Sequence, residues 1–336
     1  MIKEKQPFIP FAYKLLAGIL ILICVFMAAM VLGAADITVK DVWLALMSNE
    51  KSEQTSIILN IRLPREVGAS FVGAALAVSG AIMQGMTRNP LADPGLLGIT
   101  AGANAALAIT IVWMPSTNYV GVMIGCLLGA AVGAMMVFGL GAAKKGGFSP
   151  FRLVLAGAAV SAFLYAIAEG IGIYFKVSKD VSMWTAGGLA GLSWSQLQVI
   201  VPFILIGILI ALFLSRQLTI LSLSDEVAVG LGQNTTQIKI ALFIVIILLA
   251  GASVALVGNM VFVGLMVPHL VRAVVGTDYR LIIPMSAIGG AAFMLLADTL
   301  GRTMNAPYET PVAAIIAILG LPFFLLIVHK GGKALL

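Results

Sequence analysis

The chain has 336 residues, of which 61% are hydrophobic and 10% are charged, and its mean hydropathy is +1.09. A soluble globular protein carries about 25% charged residues, so this composition excludes that class and indicates a protein embedded in a lipid bilayer. The net charge of +6 does not indicate nucleic-acid binding, because the basic residues lie in short segments between apolar runs, where they set membrane orientation.

Apolar runs succeed one another along the chain, and each is interpreted as a membrane-spanning helix, which needs about 20 apolar residues. Their richness in Leu, Ala and Gly favours helices over the alternating pattern of a β-barrel. We predict an all-α polytopic membrane protein, with residues 1–336 as one transmembrane domain. The ten spans are placed at 15–35, 64–86, 95–113, 119–142, 151–174, 195–215, 238–257, 260–272, 281–300 and 310–329. The eighth is too short to cross alone and contains Pro268, which favours a broken helix.

Lysine and arginine predict the orientation of these spans. With the N-terminus inside, most of the 20 basic residues fall on the cytoplasmic side. Both termini are therefore expected in the cytoplasm. Residues 36–62 then form an extracytoplasmic segment, and residues 216–237 form a cytoplasmic segment between two spans.

The stretch Gly73–Ala103 organises the chain. It begins with a run rich in Gly, Ala and Ser, which lets helix backbones approach closely in a membrane. It breaks at Asn89-Pro90 and again at Asp93-Pro94, because proline removes a backbone donor and disfavours helix in the residue before it. We predict that the helix stops near Arg88 and that Asp93 caps the next helix.

Part of this stretch, RNPLADPGLLGITAGA at 88–103, resembles the signature of permease subunits of ABC importers for iron-siderophores, haem and vitamin B12, the FecCD type. Three further segments resemble the same family: RLPR at 62–65, RLVLAGAAVS at 152–161 and VFVGLMVPHLVR at 261–272. Four segments in register make the resemblance specific. It implies a type II ABC importer permease fold. It also implies a second permease subunit, identical or homologous, two cytoplasmic ATP-binding subunits and an extracytoplasmic substrate-binding lipoprotein or periplasmic protein.

The cytoplasmic segment has the pattern of a short capped helix. Ser224 is a suitable N-cap, acidic residues follow it, and Gly232 suits a left-handed C-terminal position. The resemblance implies that this helix couples the permease to its ATPase, the alternative being an ordinary surface loop. The expected contact residues are Asp225, Glu226, Val229, Gly230, Leu231 and Gly232. The nucleotide-binding pattern G-x-x-x-x-G-K-[ST] is absent from the chain, so ATP would have to come from a partner.

Three arginines are predicted on the outer side, against the positive-inside trend: Arg62, Arg65 and Arg302. The resemblance implies that they meet acidic residues of the substrate-binding protein, and the guanidinium fork suits bidentate pairing with carboxylate. The alternative is that their side chains simply reach the membrane interface. Asp298 is expected to be structural and to pair with Arg302 one helical turn away.

Four residues are candidates for the translocation pathway or its gate: Ser149, Glu169, Asn89 and Asp93. A charged group inside a span usually faces water or a partner, so Glu169 either lines the pathway or makes a structural pair. Ser149 lies in a loop that the resemblance places at the inner exit, although Pro150 departs from the expected pattern.

Metal and cofactor sites are not indicated. His269 has no second His or Cys nearby, and Cys24 and Cys126 both fall inside predicted spans. We expect no cofactor and no covalent chemistry. A short similarity between Gly73–Gly85 and Gly251–Gly264 suggests an inverted repeat, with chance as the alternative.

The sequence thus predicts the permease of an ABC importer that carries ferric siderophore across the bacterial cytoplasmic membrane. Two alternatives stay open. The same machine could carry cobalamin or haem, or the chain could be a secondary transporter driven by an ion gradient. The second alternative is disfavoured because intramembrane charges are sparse.

Overall fold

The computed structural model describes residues 10–33, 37–47, 52–116, 118–142, 150–179, 181–182, 188–306 and 308–329. Helices dominate these residues, as predicted. In chain order they are α1 (Phe11–Val31), α2 (Val39–Met47), α3 (Glu53–Ile57), α4 (Leu63–Thr87), α5 (Ile99–Trp113), α6 (Tyr119–Ala142), α7 (Pro150–Tyr174), α8 (Trp194–Phe213), α9 (Ser215–Leu221), α10 (Asp225–Gly230), α11 (Thr235–Val257), α12 (Val263–Val275), α13 (Tyr279–Thr303) and α14 (Val312–His329).

Seven helical segments in the described part of the chain are long and apolar enough to cross a membrane, and α5, α12 and α14 are shorter apolar helices. Each predicted span coincides with one of these ten. The prediction of an all-α polytopic protein is confirmed.

Several predicted boundaries are wrong. The first helix occupies Phe11–Val31 rather than 15–35. The segment 36–62 contains α2, α3 and a π-helical turn at Ile58–Arg62 that runs directly into α4, so Pro64 lies inside a continuous helix. The third span begins as a 3-10 turn at Pro94–Leu97, and α5 starts only after Gly98, whose φ is +72°.

The eighth span is a short helix without a break. α12 has 13 residues and carries Pro268 inside it. At 1.5 Å per residue it is about 20 Å long, less than the hydrocarbon thickness of about 30 Å. It packs against α4, α13 and α14, and the side-chain amide of Gln84 on α4 donates at 3.1 Å to the carbonyl of Gly264, which Pro268 deprives of its helical partner.

Helix α4 is the centre of the bundle. Most of its residues are buried, and it packs against α8, α11, α12 and α13. Small residues make this possible. A Cβ added at Gly73 would lie 2.2 Å from the carbonyl oxygen of Gly290 on α13, and one added at Gly80 would lie 2.0 Å from that of Gly264 on α12. Such close backbone contact is how helices associate where no hydrophobic drive exists between them.

A second group of helices, α5, α6 and α7, packs beside this centre and reaches it through α11. Glycines again lie at the contact between α5 and α6. Added Cβ atoms at Gly102 and Gly129 would each lie within 2.2 Å of the other's carbonyl oxygen. By contrast, α1 lies at the periphery, where it contacts α13 and exposes most of its surface.

Candidate functional site

Most candidate residues lie at the two ends of the bundle, which are called the α10 end and the Arg302 end. The α10 end holds α10 and the turn after α4, where Asp225 and Arg88 lie 3.8 Å apart. The Arg302 end is opposite, since Arg302 contacts Glu66 in the first turn of α4.

Helix α10 is a compact capped unit, as the sequence predicted. The hydroxyl of Ser224 accepts a hydrogen bond from the backbone N–H of Val227 at 3.1 Å. At its other end the N–H of Gln233 donates to the carbonyl of Ala228, and Gly232 has φ +79°. Both ends are therefore closed by the chain itself, which makes α10 rigid for its length.

The outer face of α10 is apolar and exposed. Only Ala228 is buried, whereas Val229 and Leu231 are 60% and 65% exposed. Glu226, Gly230 and Gly232 are exposed as well. A Cβ at Gly230 would meet nothing within 4 Å. The arrangement leaves a free apolar surface with one carboxylate, suited to contact with another protein.

Asp225 connects this helix to two others. Its carboxylate accepts a hydrogen bond from Lys239 of α11 at 2.8 Å and lies 3.8 Å from Arg88. Arg88 ends α4 in the left-handed conformation, with φ +52°. Displacement of α10 is thus linked to the end of the central helix.

A buried ion-pair cluster occupies the Arg302 end. Arg65 donates two hydrogen bonds from Nε and Nη2 to Asp298, the shortest at 2.8 Å, and another from Nη1 to Glu309 at 2.8 Å. Arg302 donates to Glu66 at 2.5 Å, and its Nε lies 3.1 Å from Asp298. Glu66 and Asp298 are fully buried. The predicted pairing of Asp298 with Arg302 is confirmed.

Arg62 lies at the edge of this cluster. It donates hydrogen bonds to the carbonyl oxygens of Met30 and Val31, at 2.6 and 2.9 Å, near the end of α1. These carbonyls belong to the last turn of α1, where no further N–H of the helix is available to bond them. Arg62 therefore ties α1 to the start of α4.

The burial of these arginines was not predicted. Arg62, Arg65 and Arg302 are 5%, 8% and 6% exposed, so their guanidinium groups are packed inside the protein rather than presented on its surface. Direct contact with a binding protein stays a prediction. The structure shows instead that they hold α1, α4 and α13 together.

The polar corner between α4 and α5 follows the predicted chemistry. The side-chain oxygen of Asn89 accepts from the N–H of Leu91 at 3.0 Å, and that of Asp93 accepts from Gly95 at 2.8 Å. Asp93 is buried beside Gly264, and burial raises its pKa to about 6 while the hydrogen bond from Gly95 acts in the opposite direction. Both side chains close turns, and a gate role for them stays a prediction.

Glu169 lies on an exposed face of α7, on a cavity of about 640 Å³. It forms no ion pair with any residue that the structure describes. Six polar residues share the lining: Asn104, Tyr165, Glu169, Ser178, Ser182 and Asn259. Of the two interpretations of Glu169, the geometry supports lining a cavity.

Two further expectations concern Ser149, as a gate residue, and metal sites. Ser149 lies outside the described residues. Within the described ranges, His, Cys, Asp and Glu form no group of three or more that could hold a metal ion.

Sequence reasoning missed Glu66 and Glu309, which pair with the arginines of the Arg302 end, and the polar lining residues Asn104, Tyr165 and Asn259. Glu66 carried a usable signal, because it follows Arg65 at the start of a predicted span, where an acidic side chain needs a partner. The others carried none, since a lone Asn or Tyr in an apolar run has no local mark of its neighbours.

Known proteins resemble the chain over nearly its whole length. The model of the FecCD transport family matches residues 20–330. The Iron(3+)-hydroxamate import system permease protein FhuB of Bacillus subtilis (strain 168) is 42% identical, over 96% of this chain and 84% of that protein. The Hemin transport system permease protein HmuU of Yersinia pestis is 39% identical, over 94% of this chain and 96% of that protein. The Fe(3+)-citrate import system permease protein YfmD of Bacillus subtilis (strain 168) is 42% identical, over 89% of each chain.

Solved structures share the fold. A structure described as the inward-facing conformation of a metal-chelate type ABC transporter superposes with a TM-score of 0.81 and 27% identity, over 95% of this chain and 99% of that one. PsaBC from Streptococcus pneumoniae, at 16% identity and a TM-score of 0.61, covers 85% of this chain and 94% of that one and shows the fold alone. Family model, relatives and fold agree, and the chain belongs to the FecCD transport family.

Proposed function

We propose that this chain is the permease subunit of an ABC importer that carries ferric siderophore across the bacterial cytoplasmic membrane. In this proposal both termini are cytoplasmic, and residues 1–336 form one permease domain. A second permease subunit, two ATP-binding subunits and an extracytoplasmic substrate-binding protein complete the importer. The chain itself performs no covalent chemistry.

The observation that carries the proposal is α10. Its ends are closed by Ser224 and Gly232, its apolar face is exposed, and Asp225 links it to α11 and to the end of α4. A secondary transporter has no need for a rigid apolar protrusion joined to its central helix. An importer driven by a separate ATPase needs one, because ATP-dependent movement must enter the membrane domain through contact.

The mechanism follows from these connections. ATP binding by the partner moves α10. This helix lies within the segment 216–237, which connects α8 to α11. The ion pair of Asp225 with Arg88 passes this movement to α4, and α4 contacts most of the other central helices. Access then changes from the Arg302 end, where ligand is delivered, to the α10 end, where it is released.

At the Arg302 end, the proposed docking residues remain Arg62, Arg65 and Arg302. Because they are buried, charge reversal there tests folding as much as docking. Glu309 offers a cleaner probe, since its side chain is 46% exposed while still bound to Arg65. Glu309 thus places a partly exposed carboxylate beside the buried arginines.

The first test of the whole proposal is uptake by cells that lack this gene, with and without the gene restored. Labelled ferric hydroxamate, ferric catecholate, haem and cobalamin are offered in parallel, with and without ATP depletion. Restored ferric-siderophore uptake that requires ATP is expected. Uptake of haem or cobalamin alone would replace the substrate. Uptake that depends only on an ion gradient would replace the mechanism.

The α10 assignment has its own test. Gly230→Arg places a long charged side chain in open space, so the fold is expected to persist while binding of the ATPase is lost. Thr236→Arg is the matched control, because Thr236 is exposed at the start of α11 on the same end. Co-purification of the ATPase and ATP-dependent uptake are measured for both. Normal assembly and uptake in Gly230→Arg would remove α10 as the docking helix.

A further inference from the structure

The cavity beside Glu169 lies where four parts of the chain meet. Asn104 comes from α5, Tyr165 and Glu169 come from α7, Ser178 comes from the segment after α7, and Asn259 comes from the connection between α11 and α12. Asn104 and Tyr165 each lie nine residues before the last residue of their helix. At 1.5 Å per residue, these two lining residues lie about 14 Å along their helices from the helix ends.

Apart from Glu169, the polar side chains of the described lining are uncharged. Asn104 is 4% exposed, and the side-chain amide of Asn259 donates to the hydroxyl of Tyr165 at 3.3 Å. The side-chain oxygen of Asn259 is buried and has no hydrogen-bond partner among the described residues. A buried amide oxygen without a partner costs free energy, so its presence is consistent with a ligand or water that donates to it.

The charge in the lining comes from Glu169 alone among the described residues. The nearby basic residues, Lys176 and Lys179, are exposed on the turn after α7 and do not belong to the lining. Because they lie outside the lining, their charges are farther from a ligand in the cavity than the charge of Glu169. A ligand in the cavity therefore experiences a negative potential from one carboxylate.

We propose that Glu169 selects the translocated ferric complex by charge, admitting neutral and cationic chelates and disfavouring anionic ones. This inference rests on the proposed function and deepens it. Three hydroxamate groups neutralise the charge of ferric ion, whereas three catecholates or excess citrate carboxylates leave the complex negative. The cavity thus favours the hydroxamate class, which overall similarity to the relatives does not decide, since FhuB and YfmD are equally identical to this chain.

Coulomb's law sets the size of the effect. One unit charge about 8 Å from Glu169 in a water-filled cavity changes occupancy by about twofold to threefold. A cationic and an anionic ligand of equal shape therefore differ by roughly fivefold. A complex with three negative charges is disfavoured by roughly tenfold.

The test uses three ferric complexes of one linear trihydroxamate, with its terminal amine free, acetylated or succinylated. They share the same iron centre and differ in net charge, being cationic, neutral and anionic. Uptake is measured in cells that contain the complete importer, at concentrations that saturate the binding protein for each complex. The expected cationic-to-anionic ratio is about five for the wild type and about one for Glu169→Gln.

Three other variants complete the experiment. Glu169→Asp keeps the charge and is expected to keep the ratio, whereas Ser178→Lys adds an opposing charge on the exposed rim and is expected to lower it. Glu53→Gln removes an exposed carboxylate outside the cavity and is the matched control. Uptake of the neutral complex reports the amount of folded importer for every variant.

The outcomes separate the two proposals. If the wild type takes up no ferric chelate, the proposed function is wrong and this inference goes with it. If the wild type takes up all three complexes, and Glu169→Gln and Ser178→Lys leave the ratio unchanged, then only the charge selection by Glu169 is wrong.

Discussion

The two ends of the bundle use the same pair of groups, arginine and carboxylate, in opposite ways. At the Arg302 end Asp298 is fully buried and lies against both Arg65 and Arg302. At the α10 end Asp225 has a side chain 45% exposed and approaches Lys239 and Arg88 at the surface. A buried pair is costly to break, whereas an exposed pair contributes about 1 kcal/mol or less. The first end is therefore held in place, and the second can change partners.

Removing the charge of Asp298 is expected to have the largest effect. Asp298→Asn leaves Arg65 and Arg302 buried with one carboxylate fewer, which costs about 3–5 kcal/mol in the free energy of unfolding. The measurement is thermal unfolding of the purified protein in detergent. Asp225→Asn serves as the control, with an expected change below about 1 kcal/mol. Equal shifts in the two variants would show that burial does not distinguish the two ends.

Asp93 sharpens the comparison, because it is buried at the α10 end and pairs with no cation among the described residues. Its pKa of about 6 lies above the ordinary value of 3.8, so the folded state holds the proton more tightly. The Asp93 carboxyl therefore contributes fully to the free energy of unfolding below about pH 4, and this contribution is lost as the pH rises through about 6.

The prediction follows from that sign. Asp93→Asn keeps an oxygen to accept from Gly95 but carries no charge, so the variant should match the wild type near pH 4. At pH 7 it should be more stable by up to about 3 kcal/mol. Unfolding midpoints between pH 4 and pH 7 check this. A stability difference that stays constant over this range would mean that Asp93 does not titrate as its burial requires.

The smallest effect is expected at the exposed pair. Asp225→Asn should change stability by less than about 1 kcal/mol, and high salt should abolish even that difference. Uptake should fall by no more than about fivefold, because the lost interaction is of that size. Lys239→Gln breaks the same pair from the other side and should behave alike. A complete loss of uptake in Asp225→Asn would show that its contacts with Arg88 and Lys239 matter more for coupling than an exposed ion pair accounts for.

Local sequence signals predicted local structure well. The end of α4 near Arg88, the cap at Asp93 and both ends of α10 depend on residues within a few positions of one another. The pair of Asp298 and Arg302 was predicted for the same reason, since one helical turn separates them. These features rest on backbone hydrogen bonding and helical spacing, which a single sequence contains.

Long-range contacts could not be predicted in this way. Arg65 and Asp298 are 233 positions apart, and Arg302 and Glu66 are 236 apart. Their pairing depends on the packing of α4 against α13, which the glycines permit but do not specify. The cavity beside Glu169 likewise requires α5, α7, the segment after α7 and the α11–α12 connection to meet. The sequence therefore left the role of Glu169 undecided.

The glycine contacts between α5 and α6 have a mechanical consequence. Gly102 and Gly129 meet backbone to backbone, and Gly98 and Gly133 do the same one turn away. Such a surface has few side chains locked between the helices, and no ion pair crosses it in the described part of the chain. Shear along the helix axes then needs few rotamer changes, whereas α4 and α13 are pinned by their charges. The contact of α5 with α6 is thus held by close packing alone, whereas that of α4 with α13 is held by close packing and by buried charges.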